Sequence, residues 1–506
     1  MRGGQQAPSS VSGSRRVSVS FPAVWRWARR AIYAVALVLL TLIVGGGCDA
    51  RRRLPDLSPW HRVRLDDMTA STLDDRATFQ QYQAREDQLF AQIRALELKI
   101  DPADRTPVNR YNRGSLSDPA SAGVDWNRSF ETTPARIRGG ALLLHGLTDS
   151  PYSMRKLAEV LRDNGIYSLS LRVPGHGPVP SGLVTATWED WLAAVRMGVR
   201  HVRSKTPEGA PLLLVGYSNG GALALKYTLD VVQGASGPVP ATLILLSPMI
   251  GVSPAAGLAW WISRLGVVPY FDKANWLDVF PEYNPFKYNS FAANAGFQTG
   301  SLTRTIRNDL ARIAGNGRLS AMPPILTFQS IVDATVSTPA VVNTLYDRLP
   351  ANGSELVLFD VNQVSGIAVF MQPEDRSLVQ SLLERAPRPY RRVVVTNRSG
   401  DTREVETRTA EPGSLTVTRR ELGLSWPPEV FSLTHVALPF PPDDPLYGFE
   451  SSGAIPGLLP LGRLSPRGEK NVLAVGTDSL MRLSSNPFFP FVAERIGQWV
   501  AESAGR

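Results

Sequence analysis

The chain has 506 residues, of which 43% are hydrophobic and 20% charged, so it can bury a core and is not a disordered polymer. Its 54 basic and 45 acidic residues leave a formal charge of +9, but residues 1–53 hold nine arginines and one acid, Asp49. A nucleic-acid-binding domain spreads its basic residues over a folded face, so this terminal concentration argues against a nucleic-acid partner. The chain has one cysteine, Cys48, so it cannot form an intramolecular disulfide. Its five histidines are scattered along the chain, so few residues could combine into a metal site.

The N-terminus reads as a targeting segment. Residues 31–44 are mostly apolar, follow several arginines and precede Gly45-Gly46-Gly47-Cys48. A charged leader, a short apolar run and small residues are typical of an export signal, and the run is shorter than the roughly 20 residues that span a bilayer. The segment resembles a bacterial lipoprotein signal, which implies acylation of Cys48 and retention at the inner membrane through Asp49. An uncleaved signal-anchor helix is the alternative, and both hypotheses place the following domains at a membrane on the periplasmic side.

A helix is predicted over residues 73–100, after a linker. Its apolar positions recur every three or four residues, at Phe79, Tyr82, Leu89, Ile93, Leu96 and Ile100. This spacing is compatible with a coiled coil, but a helix packed on the main domain is the favoured interpretation.

From residue 139 the pattern becomes strand, turn and helix in repetition. The predicted strands are 141–144, 167–173, 212–215, 242–246, 325–329 and 355–359. The predicted helices between the first four strands are 153–164, stopped by Gly165, a long helix capped by Thr187, and 222–232. Apolar strands that alternate with amphipathic helices predict an α/β fold with a mostly parallel sheet covered on both faces.

The loop between the strand at 212–215 and the next helix reads Gly216-Tyr217-Ser218-Asn219-Gly220. A Gly-x-Ser-x-Gly string alone is weak evidence, but its position between an apolar strand and a helix is that of a nucleophile elbow. The flanking glycines allow a tight turn that lifts Ser218 above the sheet edge, and the helix that follows directs backbone N–H groups toward developing negative charge. The alternative to a nucleophile elbow is a structural turn that carries a surface serine.

With this elbow in place, the chain resembles the α/β-hydrolase superfamily, close to its carboxylesterase and monoacylglycerol-lipase type members. Three further strings carry the resemblance: His145-Gly146-Leu147-Thr148-Asp149-Ser150-Pro151, then Pro174-Gly175-His176-Gly177 with Thr187-Trp188-Glu189-Asp190-Trp191, and finally Ser432-Leu433-Thr434-His435-Val436. The resemblance covers roughly residues 120–360 and 430–500, and it is specific for fold and nucleophile rather than for substrate.

A catalytic serine needs a base, and the family order is serine, acid, histidine. His435 is the only histidine after Ser218, so the order assigns it as the general base. The resemblance places the orienting acid at Asp333, behind the strand 325–329, with Asp360 as the rival. It also implies that the backbone N–H groups of Leu147 and Asn219 form the oxyanion hole, while His145 shapes its loop.

Two segments interrupt the predicted core. Residues 254–320 occupy the position of the family's cap, and eleven aromatic side chains fall between residues 260 and 297. Such density predicts an apolar pocket roof for an acyl or aryl group or an interface near lipid, and the alternative is that these side chains form the cap's own core. The 102 residues from Asp333 to His435 exceed the usual interval, which indicates an insertion containing a helix at 374–385 and a hairpin of strands 391–396 and 404–409. This insertion is expected to wall the cleft or to bind a partner.

The predicted domains are the following segments: 1–48 (signal or anchor), 49–110 (linker and helix), 111–253 (core, first part), 254–320 (cap), 321–362 (core, second part), 363–430 (insertion) and 431–506 (core, C-terminal part). The resulting hypothesis is a membrane-tethered serine hydrolase that cleaves carboxylic esters through Ser218, His435 and Asp333, with a lipid-derived ester as substrate and no cofactor. An acyltransferase or a peptidase with the same triad, and a non-catalytic binding module on the same fold, remain alternatives.

Overall fold

The computed structural model describes residues 21–97, 100–251, 269–364, 366, 368–370, 382–383, 386–450, 453–467 and 472–504. Its main sheet has ten strands in the order β1-β3-β2-β4-β5-β8-β9-β10-β11-β12. The strands are β1 Phe130–Thr132, β2 Gly139–Leu144, β3 Ile166–Leu171, β4 Leu212–Tyr217, β5 Thr242–Leu246, β6 Trp276–Asp278, β7 Phe291–Ala292, β8 Ile325–Ser330, β9 Glu355–Phe359, β10 Arg391–Asn397, β11 Glu404–Ala410 and β12 Val417–Ser425. Strands β6 and β7 form a separate antiparallel pair.

Seven consecutive strands of the main sheet, from β3 to β10 in the order above, run parallel. Strands β2, β3, β4, β5, β8 and β9 are buried along their whole length, because helices cover both faces. The predicted α/β fold and its six strands are therefore confirmed. The carboxyl ends of parallel strands meet at one edge of the sheet, and ligand sites of open α/β sheets lie there.

The helices are α1 Phe21–Arg53, α2 Pro59–Arg62, α3 Phe79–Glu97, α4 Arg155–Asp163, α5 Trp188–Lys205, α6 Asn219–Val232, α7 Ala293–Gly315, α8 Thr338–Ala340, α9 Thr477–Met481 and α10 Phe489–Ala504. Thr187 caps α5 as predicted, since its hydroxyl accepts a hydrogen bond from the Asp190 N–H and the Asp190 carboxylate accepts one from the Thr187 N–H. Gly165 follows α4 with φ +83°, the left-handed conformation expected of a glycine beyond a helix end.

Helix α3 begins at Phe79, six residues later than predicted, and packs on the α/β core. Phe79 and Tyr82 belong to the same buried cluster as strands β2 and β3. The buried Arg172 side chain, just after β3, donates to Glu86 of α3 at 2.9 Å and to Asp67 at 2.7 Å. Packing on the main domain, rather than a coiled coil, is therefore confirmed, and a buried ion network reinforces the contact.

The predicted hairpin is present as β10 and β11, which pair antiparallel. Strand β10 also pairs in parallel with β9, so the hairpin and β12 extend the main sheet by three strands. No residue between 386 and 430 lines the cavity described below. The described part of this segment therefore enlarges the sheet and does not wall the cleft. The helix predicted at 374–385 falls mostly outside the described residues.

The described part of the cap contains β6, β7 and α7. Some of its aromatic side chains form the core, as one prediction had it, and others line the pocket, as another did. Trp276 and Phe286 are buried in the protein core, whereas Phe280 and Phe291 line the cavity. Trp260 and Trp261 lie outside the described residues.

Helix α1 contains Cys48, which is partly buried and not in a disulfide. In the described part of the chain, no helix combines the length and the apolar character needed to cross a membrane.

Candidate active site

Ser218 occupies the turn between β4 and α6, the position predicted for a nucleophile. Its backbone is strained, with φ 55° and ψ −116°, and its N–H donates to the Leu246 carbonyl oxygen at 2.9 Å. A Cβ at Gly220 would lie 2.0 Å from the Leu144 carbonyl oxygen, and one at Gly216 would lie 2.5 Å from the Gly220 backbone. Only glycine fits at either position, so the two glycines allow the turn to press against the end of β2.

His435 and Asp333 are brought together by the fold across 102 residues of chain. The Nδ1 atom of His435 and the Oδ2 atom of Asp333 are 2.7 Å apart, and both side chains are almost fully buried. The loop after β8 holds the acid in place, because its Oδ1 atom accepts hydrogen bonds from the Thr335 and Val336 N–H groups at 2.8 and 2.9 Å. Burial alone would raise the pKa of Asp333, but the charge and hydrogen bond of His435 and these two N–H groups lower it below its usual value.

The rival acid, Asp360, follows β9 and faces other partners. Its carboxylate accepts hydrogen bonds from the Thr396 hydroxyl at 2.7 Å and from the Val361 N–H at 2.8 Å. Burial raises the pKa of Asp360, so its surroundings favour the neutral acid. Of the two candidates, Asp333 is the one that His435 contacts.

Ser218 and His435 open into one cavity of about 620 Å³ at the carboxyl edge of the sheet. With Nδ1 of His435 directed at Asp333, its Nε2 atom is the ring nitrogen left for exchanging a proton. The Ser218 hydroxyl makes no hydrogen bond within the described part of the chain. The hydrogen bond between nucleophile and base is often long in unliganded sites and tightens only with substrate, so both residues stay candidates for these roles.

The loop predicted to supply an oxyanion donor lies directly against the elbow. A Cβ on Gly146 would lie 3.2 Å from the Ser218 Cβ, and Leu147 lines the cavity. His145 holds this loop: its Nδ1 lies 2.9 Å from the Gly146 carbonyl oxygen, and its Nε2 accepts from the Val173 N–H at 3.1 Å, which requires the ring proton on Nδ1. Burial lowers the pKa of His145, so the ring stays neutral. Its geometry is that of a loop support rather than of a reacting group.

Asn219 is the first residue of α6, and its N–H is therefore among the free donors at the start of that helix. Whether the N–H groups of Leu147 and Asn219 act together on an oxyanion stays a prediction.

Sequence reasoning missed two cationic residues of the cavity, Lys287 from the cap and Arg482 from the turn after α9. Neither belongs to a motif, and only the folded chain brings them to the wall of the cavity that holds Ser218. It also missed Gln329, whose side-chain amide donates to Asp333 at 3.3 Å.

Comparisons with known proteins agree with this architecture. Residues 135–360 match the sequence model of the family described as serine aminopeptidase, S33. A thermostable monoacylglycerol lipase from Bacillus sp. (strain H-257) is 31% identical over 118 residues, which are 23% of this chain and 46% of that protein. The chain thus matches less than half the length of this relative.

Two solved structures are also similar to this chain. One is of metagenome-derived lipolytic enzymes, with 22% identity over 51% of this chain and 96% of the other and a TM-score of 0.38. The second is a monoacylglycerol lipase of Paleococcus ferrophilus, with 17% identity over 46% and 88% of the two chains and a TM-score of 0.34. Together with the family match, the sheet order described above confirms the resemblance to the α/β-hydrolase superfamily.

Proposed function

We propose that this protein is a serine hydrolase that cleaves carboxylic esters through an acyl-enzyme. The observation that carries the proposal is the 2.7 Å contact between Asp333 and His435, together with the cavity that His435 and the strained elbow residue Ser218 both line. Nucleophile, base and orienting acid are recognised by such geometry rather than by their spacing along the chain.

In the proposed reaction the Ser218 hydroxyl oxygen attacks the ester carbonyl carbon while Nε2 of His435 takes the hydroxyl proton. Asp333 stabilises the imidazolium that forms and keeps the ring oriented. The tetrahedral oxyanion is held by the N–H groups of Leu147 and Asn219, each of which is worth roughly 2.7–4 kcal/mol. The intermediate then expels the alcohol, which receives the proton from His435. Water, deprotonated by the same imidazole, attacks the acyl-enzyme carbonyl carbon. The Ser218–acyl bond then breaks, the Ser218 oxygen takes the proton back from His435, and the acid is released.

A lipid-derived ester, such as a monoacylglycerol or a lysophospholipid, is the proposed substrate class. Aromatic and aliphatic side chains line much of the cavity, including Phe280, Phe291, Met249 and Leu277. Apolar walls of this kind suit an acyl chain. The partial match to a monoacylglycerol lipase supports the same choice.

The test is hydrolysis of short-chain 4-nitrophenyl esters by the wild type and by S218A, with fluorophosphonate labelling of both. We expect turnover and labelling by the wild type alone. Folded wild-type protein that neither reacts with the probe nor turns over any ester would identify a non-catalytic binding module instead.

The description of the matched family, serine aminopeptidase, favours one second candidate, a peptidase. Aminoacyl 4-nitroanilides should be run beside the nitrophenyl esters. Faster cleavage of the anilides would identify a peptidase instead of an esterase. Transfer of the acyl group to added glycerol in preference to water would identify an acyltransferase.

We also propose that Cys48 is acylated and tethers the enzyme to the periplasmic face of a bacterial inner membrane. The residues just after it are attached to the folded body: Ala50 and Leu54 are buried, and the Arg51 guanidinium lies 4.3 Å from the ring centroid of Tyr270. Mass spectrometry of membrane-extracted protein should find a lipid-modified Cys48 at the N-terminus, and C48S should lack the modification. An unmodified chain that retains its leader would contradict the tether.

A further inference from the structure

Two cationic side chains, Lys287 and Arg482, line the cavity that contains Ser218 and His435. The described lining also holds one carboxylate outside the Asp333–His435 pair, that of Asp278 on β6. Cationic side chains thus outnumber this carboxylate around a site whose other walls are largely apolar. The chemistry proposed above does not use either cation.

Lys287 is held beside the loop that carries Leu147. Its neighbour Tyr288 donates its backbone N–H to the Thr148 carbonyl oxygen at 2.7 Å, which fixes the cap chain against that loop. Lys287 is partly buried, and no carboxylate of the described chain forms an ion pair with its amine. Burial lowers the pKa of Lys287, and Arg482 adds to this effect, whereas the Asp149 charge opposes it.

The nearby Asp149 carboxylate acts on this amine without forming an ion pair with it in the described chain. Burial raises the pKa of Asp149 to about 6, and its carboxylate accepts a hydrogen bond from the Ser150 N–H at 2.8 Å. A partly desolvated ammonium without a direct counterion is costly, and a bound anion would remove that cost.

Arg482 lines the part of the cavity beside the histidine. Its guanidinium donates to the Thr335 hydroxyl, and the Thr335 N–H in turn donates to Asp333. Its backbone carbonyl oxygen accepts a hydrogen bond from the Thr434 hydroxyl at 2.9 Å, one residue before His435. Lys287 therefore lies near the loop that carries Leu147, and Arg482 lies near His435.

We infer that this cavity selects carboxylic esters that carry an anionic group, a carboxylate or a phosphate, close to the scissile ester. Lys287 binds the anion directly, and Arg482 adds a second positive charge to the same cavity. This inference rests on the proposed esterase function and specifies its substrate class. The anion belongs to either the acyl part or the alcohol part of the ester, and the experiment separates the two sources.

Two matched substrate pairs test the inference. For the acyl side, the 4-nitrophenyl half-ester of adipic acid is compared with its neutral methyl ester. For the alcohol side, 1-lauroylglycerol 3-phosphate is compared with 1-lauroylglycerol. In at least one pair we expect kcat/KM to be about tenfold or more higher for the anionic ester, the gain of one charge-assisted hydrogen bond.

The variant K287Q should reduce the ratio of kcat/KM for the anionic ester to kcat/KM for the neutral ester about tenfold. K287R should restore most of this ratio, and R482Q should reduce it less. The matched control is K205Q, an exposed lysine at the end of α5 that does not line the cavity, and its ratio should equal that of the wild type. Circular dichroism verifies that each variant is folded, and K287R keeps the test decisive if K287Q does not fold.

Equal ratios in the wild type and K287Q, with both esters hydrolysed, would overturn the inference and leave the esterase proposal intact. A uniform loss on anionic and neutral esters would also overturn it, since it would assign Lys287 to oxyanion stabilisation instead. A wild type that hydrolyses none of the four substrates and resists fluorophosphonate labelling would refute the proposed function itself.

Discussion

The substitution D333N tests the proposed histidine–acid pair most directly. In the wild type, Oδ1 of Asp333 accepts hydrogen bonds from the Thr335 and Val336 N–H groups, and Oδ2 faces Nδ1 of His435. An asparagine must direct its carbonyl oxygen at the two backbone donors, so its NH2 group faces the imidazole. The ring then accepts at Nδ1 and carries its proton on Nε2, where it cannot take the proton of Ser218.

The expected loss in kcat is about 10⁴-fold, or about 5 kcal/mol of transition-state stabilisation. The matched control is D360N. Asp360 also follows a buried strand and also accepts a backbone hydrogen bond, but its second partner is the Thr396 hydroxyl and no hydrogen bond joins it to His435 in the described chain. We expect D360N to retain kcat within about tenfold, the scale of a modest structural perturbation.

The assay is steady-state hydrolysis of a short-chain 4-nitrophenyl ester, with the folded fraction of each variant measured by circular dichroism. A D333N enzyme with near wild-type kcat, or a D360N enzyme that loses as much as D333N while folded, would refute the assignment of Asp333. Loss of kcat in both variants through unfolding would be visible in the spectra and would call for the milder variant D333E.

Three further substitutions test the backbone strain at Ser218, the ion pairs of Arg172 and the raised pKa of Asp149. S218G should abolish hydrolysis yet raise the free energy of unfolding by about 1–3 kcal/mol over S218A, because glycine adopts the positive φ without strain. R172M should lower stability by about 3–5 kcal/mol in urea unfolding, since it leaves the buried carboxylate of Glu86 and the partly buried carboxylate of Asp67 without their counterion, and E86Q should cost less. D149N should reduce the loss of folding stability that the wild type shows as pH rises from about 4 to about 6. The native pKa of Asp149, about 6, exceeds the usual 3.8, so ionisation in the unfolded chain destabilises the fold by up to about 3 kcal/mol as pH rises through this window.

Each of these three expectations has a contradicting result. Equal stability of S218G and S218A would mean that the elbow stores no strain. An R172M protein as stable as the wild type would show that solvent reaches the carboxylates of Glu86 and Asp67. A D149N curve parallel to that of the wild type from pH 4 to 6 would place the Asp149 carboxyl in a wetter environment than its burial indicates.

Local patterns in the sequence were enough to predict the core elements. Strands such as 242–246 are continuous apolar runs with no competing helical periodicity, and the capping signal at Thr187 acts within four residues. The elbow at Ser218 was identifiable for the same reason, since its glycines, strand and helix are adjacent in the chain. The general base could also be assigned from the sequence, because His435 is the only histidine after Ser218.

The sequence by itself therefore determined the fold class, the position of Ser218 and the identity of the available histidine, since these depend on neighbours along the chain. Only the tertiary structure decided between Asp333 and Asp360, because both follow apolar strands and the sequence does not show which of them contacts His435. It alone also joined the 391–410 hairpin to the main sheet and set Lys287 in the wall of the cavity. Such contacts link residues many positions apart, and local periodicity carries no information about which distant surfaces will meet.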